Sequence, residues 1–95
     1  MSKPDYVRVH EWATGEDADP LEGEPGYWKV HAESDPRWLA DVLNGLREKD
    51  FGVWIFKSGI IIHQFNPDRG GAVGEGTTIN EALLAACLKY IARAT

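Results

Sequence analysis

Residues 51–66 read FGVWIFKSGIIIHQFN, two runs of β-branched and aromatic residues separated by a short Lys-Ser-Gly step. Such runs, interrupted by a pair that ends in glycine, are the strand–turn–strand signal of a hairpin. With Ser58-Gly59 taken as the turn, Lys57 faces Ile60, Ile55 faces Ile62 and Val53 faces Gln64 on one side. Phe56 then faces Ile61, and Trp54 faces His63, on the other. Both faces are largely apolar. A sheet of this kind is covered on both sides, or it uses one side to bind something.

Helical patterns flank the hairpin. Asp35 suits an N-cap, and Pro36 suits the first helical position, where its missing N–H costs nothing. Trp38, Leu39, Val42, Leu43 and Leu46 form one apolar stripe, which predicts a helix over 36–49. Beyond the hairpin, residues 67–71 read as a turn and residues 72–76 as a short, glycine-weakened edge strand. Thr78-Ile-Asn-Glu81 is a capping box, and Ile79, Ala82, Leu83, Ala86, Cys87, Tyr90 and Ile91 continue a helical face over 78–93. Upstream, residues 5–12 and 26–32 alternate side-chain types and read as strands. The expected fold is a single α/β (α+β) domain over residues 1–95 in the order β-β-α-β-β-β-α. Its mainly antiparallel sheet is sandwiched between two helices, and the N-terminal strands either extend it or pack as a separate hairpin.

Length and composition agree with one domain: 95 residues, 43% hydrophobic, with four tryptophans, three tyrosines and three phenylalanines. The single cysteine, Cys87, excludes an intramolecular disulfide and a thiolate-rich zinc site. No signal-peptide pattern is present and no apolar run approaches the length that spans a bilayer, so a cytoplasmic location without membrane contact is expected. For a phage-encoded chain this is the host cytoplasm.

The net charge of −5 is unevenly placed. Residues 1–35 set nine carboxylates against Lys3, Arg8 and Lys29, whereas residues 36–95 are nearly balanced. A basic footprint for nucleic acid is missing, so direct nucleic-acid binding is not expected. A nucleic-acid-processing machine would be met through its basic protein surface instead.

Chemistry-bearing patterns are few. His10, His31 and His63 lack metal-ligand spacing, and the acidic run from Asp17 puts Leu21 and Glu22 where a calcium loop needs a ligand and glycine. Cys87 falls on an apolar helix face, where a thiol acts as a small hydrophobe. No catalytic residue, metal or cofactor is therefore expected, and the chain reads as a non-enzyme. What remains is recognition. Residues 13–25 form an acidic flexible loop containing TGEDADPLEGEP, which is either a solvated connector or a negative surface that steers the protein to a basic partner. On the second reading Glu16, Asp17, Asp19, Glu22 and Glu24 bind the partner, with Trp12 or Trp28 as an aromatic anchor. Should one face of the hairpin stay uncovered, Trp54 and Phe56 take over that role.

Residues 34–92, SDPRWLADVLNGLREKDFGVWIF followed by a second strand and GEGTTINEALLAACLKYI, resemble the phage ABA-sandwich family. Its members pair a helix ending in a Lys/Arg-rich turn with a short sheet and a closing helix bearing an Ala-Leu-Leu-Ala core face. The resemblance implies a sheet covered on both faces. With the small size and acidic segment, it also implies a phage or mobile-element accessory protein that binds a host protein. That protein would be an inhibitor of a defence or nucleic-acid-processing complex in the anti-CRISPR manner. Residues 1–33 have no counterpart in the pattern. Gly76-Thr-Thr-Ile-Asn-Glu-Ala-Leu83 is similar to the strand-to-helix junction of HicB-type antitoxins, which implies, as the alternative, sequestration of a small basic toxin. A helix ahead of the central hairpin departs from that second pattern. A homodimer is left open.

Overall fold

The hairpin signal is realised in three dimensions, and the helices are arranged on one side of it. A computed structural model describes residues 3–16, 30–65 and 68–94. Their elements run α1 (Asp5–Thr14), α2 (Pro36–Glu48), β1 (Phe51–Phe56), β2 (Gly59–Phe65), β3 (Asp68–Glu75) and α3 (Ile79–Ala94). The three strands form one antiparallel sheet in the order β1-β2-β3. The class is the expected one: helices with a mainly antiparallel sheet in a single compact unit.

The turn lies one residue earlier than its composition suggests, which shifts the pairing partners on β2 by two residues. Phe56 pairs with Gly59, Ile55 with Ile60, Trp54 with Ile61 and Val53 with Ile62, so Lys57-Ser58 makes the turn. Gly59 is needed within the strand, because a side chain there would overlap the Gly74 carbonyl of β3. A two-residue shift preserves which residues share a face. Glycine also misled the reading of residues 67–71 as a turn: from Asp68 onward they belong to β3, whose register slips between Gln64 and Phe65.

One face of the sheet carries the core. Ile60 and Ile62 of β2 and Phe51 of β1 meet Leu83, Ala86, Cys87 and Tyr90 of α3 and Trp38, Val42 and Leu46 of α2 in a single buried cluster. A fully buried Leu or Ile contributes about 1.5–3 kcal/mol, so these side chains dominate the stability. Polar contacts fix the helices over the core. Asn80 Nδ2 donates to the carbonyls of Glu33 and Asp35, joining the starts of α3 and α2. The Tyr90 hydroxyl donates to Gln64 Oε1 at 2.6 Å, joining the end of α3 to β2.

Two larger features also depart from the sequence reading. First, the segment 5–12 is helical, not a strand. Val9 and Ala13 fall one turn apart, and Val7, Val9, His10 and Ala13 are buried against the other helices. Trp38 Nε1 donates to the Tyr6 carbonyl at 2.9 Å, locking α1 to α2. Strand propensity of Val, Tyr and Trp is a preference for packed surfaces, and here a helical surface supplies the packing. The expected strand over 26–32 lies outside the described residues up to residue 29, and residues 30–32 are not in a strand. Second, α2 and α3 do not sandwich the sheet. Both share the inner core, and Trp54, Phe56, Phe65 and Val73 on the opposite face are 44–54% exposed.

The capping signals hold with one change. Asp35 accepts from the Arg37 amide at 2.8 Å, ahead of Pro36. At α3, Thr78 Oγ1 accepts from the Glu81 amide, while Glu81 Oε2 reaches back to the amide and hydroxyl of Thr77 instead of Thr78. No helix among the described residues is long and apolar enough to cross a membrane.

Hydrogen bonds from the Arg37 guanidinium and amide lower the Asp35 carboxyl from 3.8 to about 2. A carboxylate held low in the folded state stabilises fully above its unfolded value, near 3.9. That contribution is lost as pH falls through about 2. Asp35→Ala should therefore lower the urea midpoint at neutral pH, and the gap to wild type should narrow between about pH 4 and pH 2. A gap of constant size across this range would contradict the linkage.

Candidate functional site

Strand alternation sends every second side chain of the sheet away from the helices. On this outer face stand Gly52, Trp54 and Phe56 of β1, Ile61, His63 and Phe65 of β2, and Val73 of β3. The rings form a contiguous ridge. Trp54 and Phe65 meet edge to face at 5.9 Å between centroids, and His63 lies over Phe65 at 4.6 Å. Gly52 supplies the bed for this ridge: a Cβ there would sit 2.7 Å from atoms of both the Trp54 and Phe65 rings.

One end of the ridge is held by hydrogen bonds. His63 Nε2 lies 2.8 Å from Asp68 Oδ1, which also accepts from the Gly70 amide at 3.0 Å. The Gly70 amide, and then His63, hold the Asp68 carboxyl below the usual carboxylate range. At the other end Phe56, Ile61 and Val73 border a shallow apolar dish of about 270 Å³ beside Ser58 and Glu75. A ridge of rings next to an apolar dish suits a folded partner, which offers one knob and one groove.

A second concavity, about 510 Å³, lies where β1 begins and α3 ends. Trp12, Phe51 and Tyr90 pack there as mutually tilted rings 5.1–5.6 Å apart. Lys49, Arg69 and Arg93 line it together with Glu48 and Asp50, so opposite charges largely offset.

The residues singled out in the sequence divide three ways. Trp54 and Phe56 stand on the open face. Trp12 is half-buried and serves the ring cluster with Phe51 and Tyr90, so it is a packing residue and not a free anchor. Glu16 is exposed just beyond α1. Asp17, Asp19, Glu22, Glu24 and Trp28 lie outside the described residues, while Ala13 and Thr14, counted with the acidic loop, close α1. Phe65 and Val73 were not singled out. Phe65 shares alternation parity with Ile61 and His63 and was legible on that ground, whereas Val73 needs the β2–β3 register. Cys87 is fully buried, and burial pushes its thiol up to about 12, which keeps it neutral. Among the described residues no group of three His, Cys, Asp or Glu side chains is placed to hold a metal ion.

Gly52→Ala should leave the denaturation midpoint almost unchanged, because the overlapping atoms are the ends of exposed side chains. It should separate Trp54 from Phe65 and move the Trp54 indole proton resonance. An unmoved resonance would show that the rings do not rest on residue 52.

Comparison of the chain with models of known protein families, with curated proteins and with solved structures gives no match.

Proposed function

We propose that the chain is a small non-enzymatic binding protein whose contact surface for another protein is the outer face of its sheet. The observation that carries this reading is one-sided burial. The inner sheet residues Ile60 and Ile62 are essentially inaccessible, while Trp54, Phe56 and Phe65 keep about half their surface in water. Scattered exposed apolar residues are ordinary, but a contiguous patch of rings marks an interaction site.

Magnitudes indicate how such a face works. Each half-exposed ring offers on the order of 100 Å², so three rings are worth roughly 7 kcal/mol when covered. Association consumes about 4–15 kcal/mol in lost freedom and side-chain ordering. The rings alone thus support weak binding at most, and charge complementarity supplies the rest. This chain carries net −5, with the excess in residues 1–35, which favours a partner with a basic surface. Steering by Glu16, Asp17, Asp19, Glu22 and Glu24 combines with anchoring by Trp54, Phe56 and Phe65. The phage or mobile-element role, inhibition of a host defence or nucleic-acid-processing complex, rests on the resemblance of residues 34–92 and is part of this proposal.

The test is capture of a partner from host lysate by three proteins: wild type, a Phe65→Ser/Val73→Ser variant, and a variant neutralised at 16, 17, 19, 22 and 24. The outer-face variant should lose the partner while keeping cooperative unfolding. The neutralised variant should bind more slowly and with weaker salt dependence. Undiminished capture by the outer-face variant would contradict the proposal.

A further inference from the structure

The two edges of the sheet are built differently. β3, with Asp68, Arg69 and Glu75, carries charge, and its pairing with β2 is interrupted by the register slip. Two of its carbonyls are also engaged by α3: Val73 O accepts from Lys89 Nζ at 2.9 Å, and Arg69 O accepts from Arg93. These are the devices by which a strand edge is closed to further pairing. β1 has none of them. Its six residues, FGVWIF, include no charge and no proline, and its pairing with β2 runs without a slip.

Among the described residues nothing pairs with the far edge of β1, and that edge can be assigned residue by residue. The Phe65 amide donates to the Asp50 carbonyl, and residues 50 and 65 continue the β1–β2 register. Antiparallel pairs alternate between bonded and non-bonded positions. Even-numbered residues of β1 therefore bond to β2, and Phe51, Val53 and Ile55 turn their N–H and C=O groups outward. Ile55 adds a second sign of an unfinished edge. It belongs to the helix-covered face, yet at 55% it is the most exposed large hydrophobic residue among those described.

We propose that β1 pairs antiparallel with β1 of a second copy across a twofold axis, joining two three-stranded sheets into one continuous sheet. The strand is self-complementary, since an uncharged six-residue edge meets no repulsion from its twin. Directly opposed residues share a face, so keeping the helices of both copies on one side requires the axis to pass through a residue such as Val53 or Trp54, not between two. Trp54, Ile55 and Phe56, together with the paired backbones, bury on the order of 1,000 Å² in total, the lower bound of a specific contact. For a contact at this lower bound with no charge pairing, association in about the micromolar range is expected. The pairing takes up the edges of Trp54 and Phe56, leaves Phe65 and Val73 of each outer face open, and places both aromatic ridges on the same side of the assembly.

The experiment is sedimentation of wild type, Ile55→Lys and Val73→Lys over a concentration series, with hydrogen exchange of the backbone amides. Both substituted residues are about half exposed, so both variants keep the fold. Wild type should approach twice the 10.6 kDa chain mass. Ile55→Lys should weaken association roughly 100-fold by setting a charge against the apolar Phe51 or Val53 of the second copy. Val73→Lys, on the outer face, should leave association intact. In the wild-type dimer the Val53 and Ile55 amides should be protected, and in the Ile55→Lys monomer they should exchange freely. Four results would each overturn the proposal: a wild type that stays monomeric to roughly 0.1 mM; a dimer that survives Ile55→Lys; a dimer lost in Val73→Lys; or unprotected Val53 and Ile55 amides in the dimer. The partner capture described above uses outer-face variants, so its failure and the failure of edge pairing are separate results.

Discussion

Everything in this molecule depends on Ile60 and Ile62 being sealed from one side only. Strands lie about 4.8 Å apart and helices pack about 8–10 Å apart, so a three-stranded sheet is wide enough for about two helices on a face. Here α3 lies over β2 and β3, and α2 fills the space beside it. Their apolar stripes, Leu83 with Cys87 and Trp38 with Val42 and Leu46, meet in one cluster. Placing α2 on the outer face would have separated Trp38 from that cluster and divided one core into two thinner ones. α1 then covers the helices, held through the Tyr6–Trp38 hydrogen bond and the burial of Val7 and Val9. With the helices committed to one side, the outer face is left to Trp54, Phe56, Phe65 and Val73.

The parts of this arrangement that were legible in the sequence are those fixed locally. Asp35 with Pro36, and Thr78 with Glu81, mark helix starts through bonds that span two or three residues, and both helices begin where these signals stand. The faces of the hairpin followed from alternation, which survives a two-residue slip in register. Local pattern did not reveal the form of residues 5–14, because Tyr6, Val7, Val9 and Trp12 suit a strand or a buried helix equally. Only the surface offered by α2 decides between them. The side on which α2 packs was equally illegible, since an apolar stripe states that a helix is covered and not by what. The same limit applies to the candidate site. Trp54 and Phe56 were visible as alternatives, but their exposure follows from where the helices go, and the half-burial of Trp12 follows from the tertiary contact with Phe51 and Tyr90.

On the proposed reading, the outer face and the acidic N-terminal third divide recognition between short-range and long-range forces. Rings lose water only on contact and determine how long a complex lasts. Carboxylates act across about a Debye length, roughly 8 Å at physiological salt, and determine how often encounters occur. The His63–Asp68 pair stands where these regimes meet, anchoring one end of the ring ridge beside a carboxylate whose charge is held by the Gly70 amide. Removing rings should thus be felt in dissociation, and removing charge in association.

Cover of the outer face by a second protein, as proposed, is read directly by oxidative footprinting. Hydroxyl radicals applied to the purified chain should modify Trp54, Phe56 and Phe65 readily and leave Trp38 nearly untouched, as their exposures require. Applied to the chain in its native lysate, they should modify Trp54, Phe56 and Phe65 several-fold less, with no change at exposed positions on α2. Equal modification in both settings would mean that the rings face water in the cell, and the outer face would not be a contact surface.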